Sequence, residues 1–337
     1  MDYTVAMQRA IALSEKGLGK CAPNPIVGAV IIGANGKVVG EGFHDRMSSK
    51  DHAEVVAIRS AGDLAKGATI VVTLEPCNHT GSTGPCTQAI IDSGISTVVF
   101  AVNDPNTVAA GGADALRAAG IKVVEGVMEK EASYANRAWL TKIEKSRPYF
   151  VWKVATTLDA KIAASDGTSK WISNDVSRSD VQRLRRQSDA ILVGTNTVIV
   201  DNPHLIPRGE FSGYSHNPIR IIFGESDLPN DSKVFDDAAE TVHVKSRDLN
   251  KLVSKLNEMD INQVFVEAGS TLASAMVSAG LMDELVIYQA PALLGSGKPF
   301  FADDSVSTIE NQMLLQHIST EVLAGDVKSV YRVGAGA

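Results

Sequence analysis

The sequence predicts two α/β domains in tandem, and three observations carry that prediction. Stretches of strand character alternate with stretches of helical spacing along nearly the whole chain, the pattern of layered α/β architecture. At 337 residues the chain exceeds the size at which one core usually keeps growing. Arg147-Pro148 punctuates the alternation near its middle, so the domains are placed at 1–146 and 147–337.

Composition narrows the class. A hydrophobic content of 44% and a charged content of 21% are ordinary for a folded protein. No window is long and apolar enough to span a bilayer, and the charged start MDYTVAMQRAIALSEKG is unlike a signal peptide. Three cysteines argue against a disulfide framework and for a reducing compartment, hence a cytoplasmic location. A net charge of −7 disfavours bulk nucleic-acid binding, though a local basic patch could still serve a small phosphorylated molecule. A homo-oligomer is compatible with all of this.

Within the first domain a helix is predicted over 2–18, with Tyr3, Met7 and Ala10 at helical spacing. Ala22-Pro23-Asn24-Pro25 breaks it. Strands over 26–32 and 38–43 are joined by the Asn35-Gly36 turn of a hairpin, and His44 ends the second. A helix over 52–61, a strand over 69–74, a helix over 86–93 and a strand over 98–102 follow. The turn Asp104-Pro105-Asn106, a helix near 113–119 and a strand over 121–124 complete the layer, and one connecting helix is predicted over 129–145. In the second domain, strands over 149–155, 190–193, 219–223, 241–244, 263–267 and 285–289 alternate with a helix after Ser173 that carries Arg178, Arg183, Arg185 and Arg186, and with helices near 248–258 and 270–280. That order argues a largely parallel sheet, with Ser173 as an expected N-cap.

The chemistry concentrates in residues 52–86. His52-Ala53-Glu54 precedes Pro76-Cys77 and Pro85-Cys86, which supplies one nitrogen and two sulfur donors with a glutamate beside them. Three ligands leave a fourth tetrahedral position open for water, as in catalytic zinc sites. The order His-x-Glu, then Pro-Cys and a second Cys, is that of zinc deaminases, although eight residues (78–85) separate the cysteines here. Zinc lowers the pKa of bound water to roughly 7, and Glu54 can shuttle the proton. Each ligand is expected at a helix N-terminus, where amides and dipole favour thiolate. His79 as a fourth ligand of a structural zinc site is an alternative, and Cys21 reads as a small buried residue. Asn24, His44, Asp104 and Asn106 follow strand ends or turns, with donors and acceptors suited to a pyrimidine edge. They serve equally as turn residues bonded to local backbone.

The second domain lacks G-x-G-x-x-G, yet Val264–Leu272 runs from strand to helix through small residues whose amides could hold a pyrophosphate. Arg183, Arg185 and Arg186 with Arg208 offer a phosphate-binding cluster, or a solvated helix face.

Taken together these stretches resemble the bifunctional riboflavin-biosynthesis deaminase/reductase family over about residues 1–295. The deaminase motifs are PNPIVGAV at 23–30, EGFH at 41–44, HAEVVAI at 52–58, TLEPCNHTGSTGPC at 73–86 and DPN at 104–106. The reductase motifs are TTLDAKIA at 156–163, SKWIS at 169–173, DVQRLRRQSDAILVG at 180–194, TVIVDNPHL at 197–205 and VEAGSTLA at 266–273. The resemblance implies a cytidine-deaminase-like α/β/α domain followed by a dihydrofolate-reductase-like α/β domain. It further implies deamination of a diaminopyrimidinone bearing phosphoribosylamine, then NADPH-dependent reduction of the ribosyl chain to ribityl phosphate. His52, Cys77 and Cys86 would bind zinc, with Glu54 as proton shuttle and Asn24, His44, His79, Asp104 and Asn106 facing the deaminase substrate. Ala155, Trp171, Thr197 and Asp201 would line the NADPH site. So would Gly269, Ser270, Thr271, Leu272, Ala273, Ser274 and Ala275. Ser169, Arg185, Leu205, Arg208 and Glu267 would hold the reductase substrate. The chain departs from the family pattern at Ser82, commonly a Lys or Arg, at Gly84 and Thr107, commonly prolines, and at Ala160 and Asn196, commonly glycines. These departures bear on substrate affinity. The alternative is a zinc deaminase of a nucleoside or tRNA base with a non-catalytic C-terminal binding module.

Overall fold

The Val/Ile-rich runs become the central strands of two separate sheets in a computed structural model that describes residues 2–80, 84–106, 110–213, 216–303 and 306–333. The chain divides into two units, Met1–Arg147 and Pro148–Ala337.

In the first unit, α1 (Thr4–Ser14) precedes the antiparallel hairpin of β1 (Gly28–Ile32) and β2 (Val38–Phe43). Then come α2 (Ala53–Ala61), β3 (Thr69–Leu74), α3 (Cys86–Asp92), β4 (Thr97–Val102), α4 (Gly112–Ala118) and β5 (Lys122–Val124). Two helices close the unit, α5 (Glu129–Ala135) and α6 (Arg137–Lys145). Among the described residues the sheet order is β2-β1-β3-β4-β5, with β3, β4 and β5 parallel and β1 antiparallel to its neighbours. Val30, Ile31, Ile70, Val72 and Phe100 form its fully buried centre. Two glycines bring α2 close. A Cβ on Gly40 or Gly42 of β2 would meet the backbone oxygen of Ala57 or Ala53 at 2.4 Å, so only glycine lets that helix lie so near the sheet.

Three expectations change here. The first helix stops at Ser14 and continues as a short 3-10 turn, Glu15–Gly17, instead of running to residue 18. The connecting helix is two helices, because Asn136 leaves helical geometry (φ −96°, ψ 16°) and its buried Oδ1 accepts a hydrogen bond from Ile26 N at 3.1 Å. Cys77 opens no helix: it lies in the connection that leaves β3.

The second unit runs β6 (Tyr149–Thr157), β7 (Lys161–Ala163), α7 (Asp175–Arg186), β8 (Ala190–Gly194), α8 (Thr195–Asp201), β9 (Ile219–Phe223) and β10 (Thr241–Val244). It continues with α9 (Leu249–Glu258), β11 (Gln263–Val266), α10 (Ser270–Ser278), β12 (Glu284–Ala290), β13 (Lys298–Pro299), β14 (Leu315–Leu323) and β15 (Asp326–Val333). Among the described residues, eight strands form one sheet in the order β10-β9-β8-β11-β6-β12-β15-β14. They are parallel from β10 to β12, and the last two are antiparallel. The N-cap of α7 is Asn174, not Ser173. The Asn174 side chain accepts from Ser177 N at 2.9 Å, while Ser173 offers only its carbonyl, to Arg178. Sequence reasoning missed α8, whose Thr and Val residues have strand propensity. It also missed the β14–β15 hairpin, since an edge strand exposed along most of its length carries no apolar signal.

Candidate active sites

The first site is built where β3 ends and α2 and α3 begin. His52 is the N-cap of α2 and Cys86 the first residue of α3, while Cys77 follows β3 by three positions. His52 Nδ1 lies 3.6 Å from Cys77 Sγ and 3.3 Å from Cys86 Sγ. The three donor atoms lie within 4.8 Å of one another. One nitrogen and two sulfurs at this spacing fit zinc with one position left open. His79 does not join the trio. It lines the same cavity, with its Nδ1 buried and without a hydrogen-bond partner.

Hydrogen bonding from Cys86, then from His52, holds the Cys77 thiol far down, at about 4, against its burial. The Cys86 thiol is pushed up by the same contact and by burial, because two adjacent sulfurs cannot both carry charge in a buried site. The hydrogen bond with Cys77 raises the His52 pKa. Glu54, in the first turn of α2 and 3% exposed, has its carboxyl pushed up by burial. Beside it, His44 is buried and its pKa is lowered by that burial. Its Nδ1 lies 2.9 Å from the Asp51 carbonyl, which can only accept, so Nδ1 carries the proton. Nε2 is then the acceptor for Asn24 Nδ2 at 3.1 Å.

His52, Cys77, Glu54, His44 and Asn24 share a cavity of about 320 Å³ with Asp104 and Asn106. Burial raises the Asp104 carboxyl, whose Oδ1 accepts from Asn106 N at 2.8 Å. Trp139 and Ile143 of α6 complete the wall, residues that sequence reasoning placed only on a connecting helix. Ser82 and Thr107 lie outside the described residues, as do Gly81 and Thr83 of the cysteine loop.

In the second unit, candidate residues gather at the carboxyl ends of parallel strands, where ligands of open α/β sheets bind. β8 and β11 run side by side, with Leu192 paired to Val266, and each leads directly into a helix. Gly194 caps α8 and Gly269 caps α10 without a side-chain hydrogen bond, and the space beside Gly269 Cα is open. Free amides at two adjacent helix starts suit a dinucleotide pyrophosphate. Thr197 lies in the first turn of α8 and Asp201 at its end, exposed, near the buried Leu205. Thr271, Leu272 and Ala275 lie on α10 with Ser270, while Ala273 and Ser274 are buried. Ala155 lies on β6. Trp171 is 75% exposed, with the Arg178 guanidinium 4.5 Å from its ring centre, and Ser169 is exposed two residues earlier.

The expected arginine cluster does not converge. Arg185 is buried and paired bidentately with Glu267, at 2.9 and 2.6 Å. Arg183 pairs with Asp180, and Arg186 reaches the His216 carbonyl at 3.0 Å. Arg208 is exposed beyond the turn and near enough to Glu267 to help depress its carboxyl. Burial pushes Glu267 up, but Arg185 outweighs it and the carboxyl sits below its ordinary range. Sequence reasoning missed Lys153, a neighbour of this pair on β6, whose ammonium is pushed down by burial. A lysine inside the run YFVWKVATT was the available signal.

Fold and first site together define a zinc deaminase of the cytidine-deaminase type, followed by a second α/β enzyme unit. The family described as the cytidine and deoxycytidylate deaminase zinc-binding region matches residues 2–102, and the RibD C-terminal domain matches residues 148–329. The chain is 43% identical over 324 residues to the riboflavin biosynthesis protein RibD of Mycobacterium tuberculosis, covering 96% of this chain and 95% of that protein. It is 39% identical to the RibD of Aquifex aeolicus, covering 95% of this chain and 96% of that protein. Among solved structures, Acinetobacter baumannii RibD matches with a TM-score of 0.86 at 34% identity, over 98% of this chain and 99% of that one. A Thermotoga maritima structure matches with a TM-score of 0.88 at 35% identity, over 98% of each chain. That protein is named a diaminohydroxyphosphoribosylaminopyrimidine deaminase/5-amino-6-(5-phosphoribosylamino)uracil reductase. The chain belongs to the RibD family of riboflavin biosynthesis proteins. It is an enzyme that pairs a deaminase with a dihydrofolate-reductase-like reductase, and its cofactors are zinc and NADPH. This supports two activities over a nucleoside or tRNA-base deaminase with a binding module. Among the described residues, no helix is long and apolar enough to cross a membrane.

Proposed function

We propose that residues 1–146 deaminate 2,5-diamino-6-(5-phosphoribosylamino)pyrimidin-4-one and that residues 147–337 reduce the ribosyl chain of the product to ribityl phosphate. The observation that carries the first half is the His52–Cys77–Cys86 trio, of which His52 and Cys77 line one cavity with Glu54. His52, Cys77 and Cys86 would hold zinc, which when bound makes water acidic enough to react near neutral pH. Glu54, its carboxyl raised by burial, would be the group that accepts a proton and delivers it toward a ring nitrogen and the departing ammonia. The balance is C–NH2 plus water giving C=O plus ammonia. Asn24, neutral His44, His79, Asp104 and Asn106 orient the pyrimidine.

NADPH supplies two electrons when bound. Ala155, Trp171, Thr197, Asp201 and the segment from Gly269 to Ala275 would hold it. Ser169, Leu205 and Arg208 bind the reductase substrate, with the Arg185–Glu267 pair as a rigid charged floor. We also read the protein as cytoplasmic, acting on this small molecule without nucleic acid or membrane, in keeping with its net charge of −7.

Incubation with the diaminopyrimidinone substrate tests the reading. Ammonia should appear with or without NADPH, and NADPH should be oxidised only once the deaminated product has formed. NADPH oxidation that precedes ammonia release would reverse the proposed order.

A further inference from the structure

Glu75 plays no part in the chemistry above, yet it is 7% exposed, with both carboxylate oxygens engaged by backbone. Oε2 accepts from Asp104 N at 3.1 Å and Oε1 from Ala113 N at 2.9 Å. Its own N–H donates to Val102 O at 2.8 Å. One buried carboxylate thus bridges the start and the end of the connection from β4 to α4. That connection carries Asp104 and Asn106, which line the cavity with Glu54 and Glu75. At its far end, Gly112 packs so tightly on Pro76 that a Cβ would meet the Pro76 oxygen at 1.8 Å. Glu75, Pro76 and Cys77 are consecutive. The segment is therefore fastened to the tripeptide that ends in a metal-ligating sulfur.

We propose that Glu75 is a positioning residue for deamination, holding Asp104 N and Ala113 N so that Asp104 and Asn106 meet the pyrimidine at a set distance from Glu54. The inference rests on the reading of those two residues as substrate contacts. Replacing Glu75 by glutamine keeps the size but turns one acceptor oxygen into a donor facing a buried N–H.

The test uses the full-length, zinc-loaded enzyme and the diaminopyrimidinone phosphate. Glu75→Gln should raise KM for deamination about tenfold or more, with a smaller change in kcat, as expected when substrate contacts lose their alignment. Zinc content and reduction of the deaminated product should stay as in the wild type. A fall in kcat at unchanged KM, or a loss of zinc, overturns the proposal. If Glu75→Gln does not fold, Glu75→Asp decides: it keeps the charge but is a methylene too short to reach both N–H groups, and a normal KM there overturns the clamp. Asp104→Asn separates the two levels. A raised KM in Asp104→Asn beside a normal one in Glu75→Gln overturns the clamp alone. An unmoved KM in Asp104→Asn overturns the substrate reading, and the clamp falls with it.

Discussion

The two units handle buried charge in opposite ways. In the first, the Cys77 thiol is held down by its contacts with Cys86 and His52, while the neighbouring Cys86 thiol and the buried Glu54 carboxyl are pushed up. In the second, the buried carboxylates are matched by cations, although Lys153, beside one such pair, has its ammonium pushed down by burial. Arg185 grips Glu267 with two bonds, and Asp180 accepts from both Lys328 and Tyr288 at 2.6 Å. A cluster of soft donors is completed by a cation, whereas a matched pair such as Arg185–Glu267 forms a rigid platform, which leaves the exposed Arg208 to meet an anionic ligand. Removing a group from the first should therefore change chemistry at constant fold, while removing one from the second should change stability as well.

The largest effect should come from Glu54→Gln, which keeps size but removes the proton acceptor. Deamination is predicted to fall about 10²–10⁴-fold, the usual contribution of general acid–base catalysis. Zinc content, thermal stability and reduction of the deaminated product should be unchanged. Metal analysis and separate assays of the two half-reactions check this, and loss of both activities in zinc-replete protein would break the contrast.

Arg185→Ala should give the converse. It leaves Glu267 buried and unpaired, a change that costs about 3–5 kcal/mol. Denaturant unfolding should show the second unit weakened and reduction lost, with ammonia release intact. The pair also has a pH signature. The folded-state pKa of Glu267 lies below its ordinary value, so its contribution is fully present above the ordinary glutamate range and is lost as pH falls through the folded value. Acid titration of wild type and variant should converge at low pH; parallel curves would mean that the pair is not the source.

Arg208→Ala tests the exposed rim of the same site. A lost charge-assisted bond to a substrate phosphate costs about 1.5–3 kcal/mol, so KM of the reductase should rise about 10–100-fold while stability holds. An effect on cofactor binding alone would assign Arg208 to NADPH instead.

The smallest effect concerns Ala160, which stands where the family commonly has glycine and adopts φ +62°. Relief of left-handed strain by Ala160→Gly is worth about 1 kcal/mol. The melting temperature of the second unit should rise by about 2–4 °C, read by scanning calorimetry. No change would show that the neighbouring turn already absorbs the strain.

The sequence alone was enough to pick out His52, Cys77 and Cys86, which the fold brings within 4.8 Å of one another, and most of the strands. His52-x-Glu54 and the two Pro-Cys steps are local patterns, each attached to a strand end or a helix start, and chain connectivity largely decides where such residues go. The alternation of apolar runs with helical spacing fixed the layered class for the same reason. Tertiary structure decided what depends on distant partners. Arg185 and Arg186 are both buried on α7 but take different distant partners, Glu267 for Arg185 and the His216 carbonyl for Arg186, while Arg183 pairs locally with Asp180. Asn136 breaks a helix because Ile26 N needs an acceptor, a demand that no window of sequence contains. The β14–β15 hairpin stayed hidden because its outer strand is exposed and polar, its place set by pairing with β12 through β15. Glu75 reads from sequence as one more residue before Pro-Cys. Its clamp needs Asp104 and Ala113 brought to one carboxylate by the parallel pairing of β3 with β4.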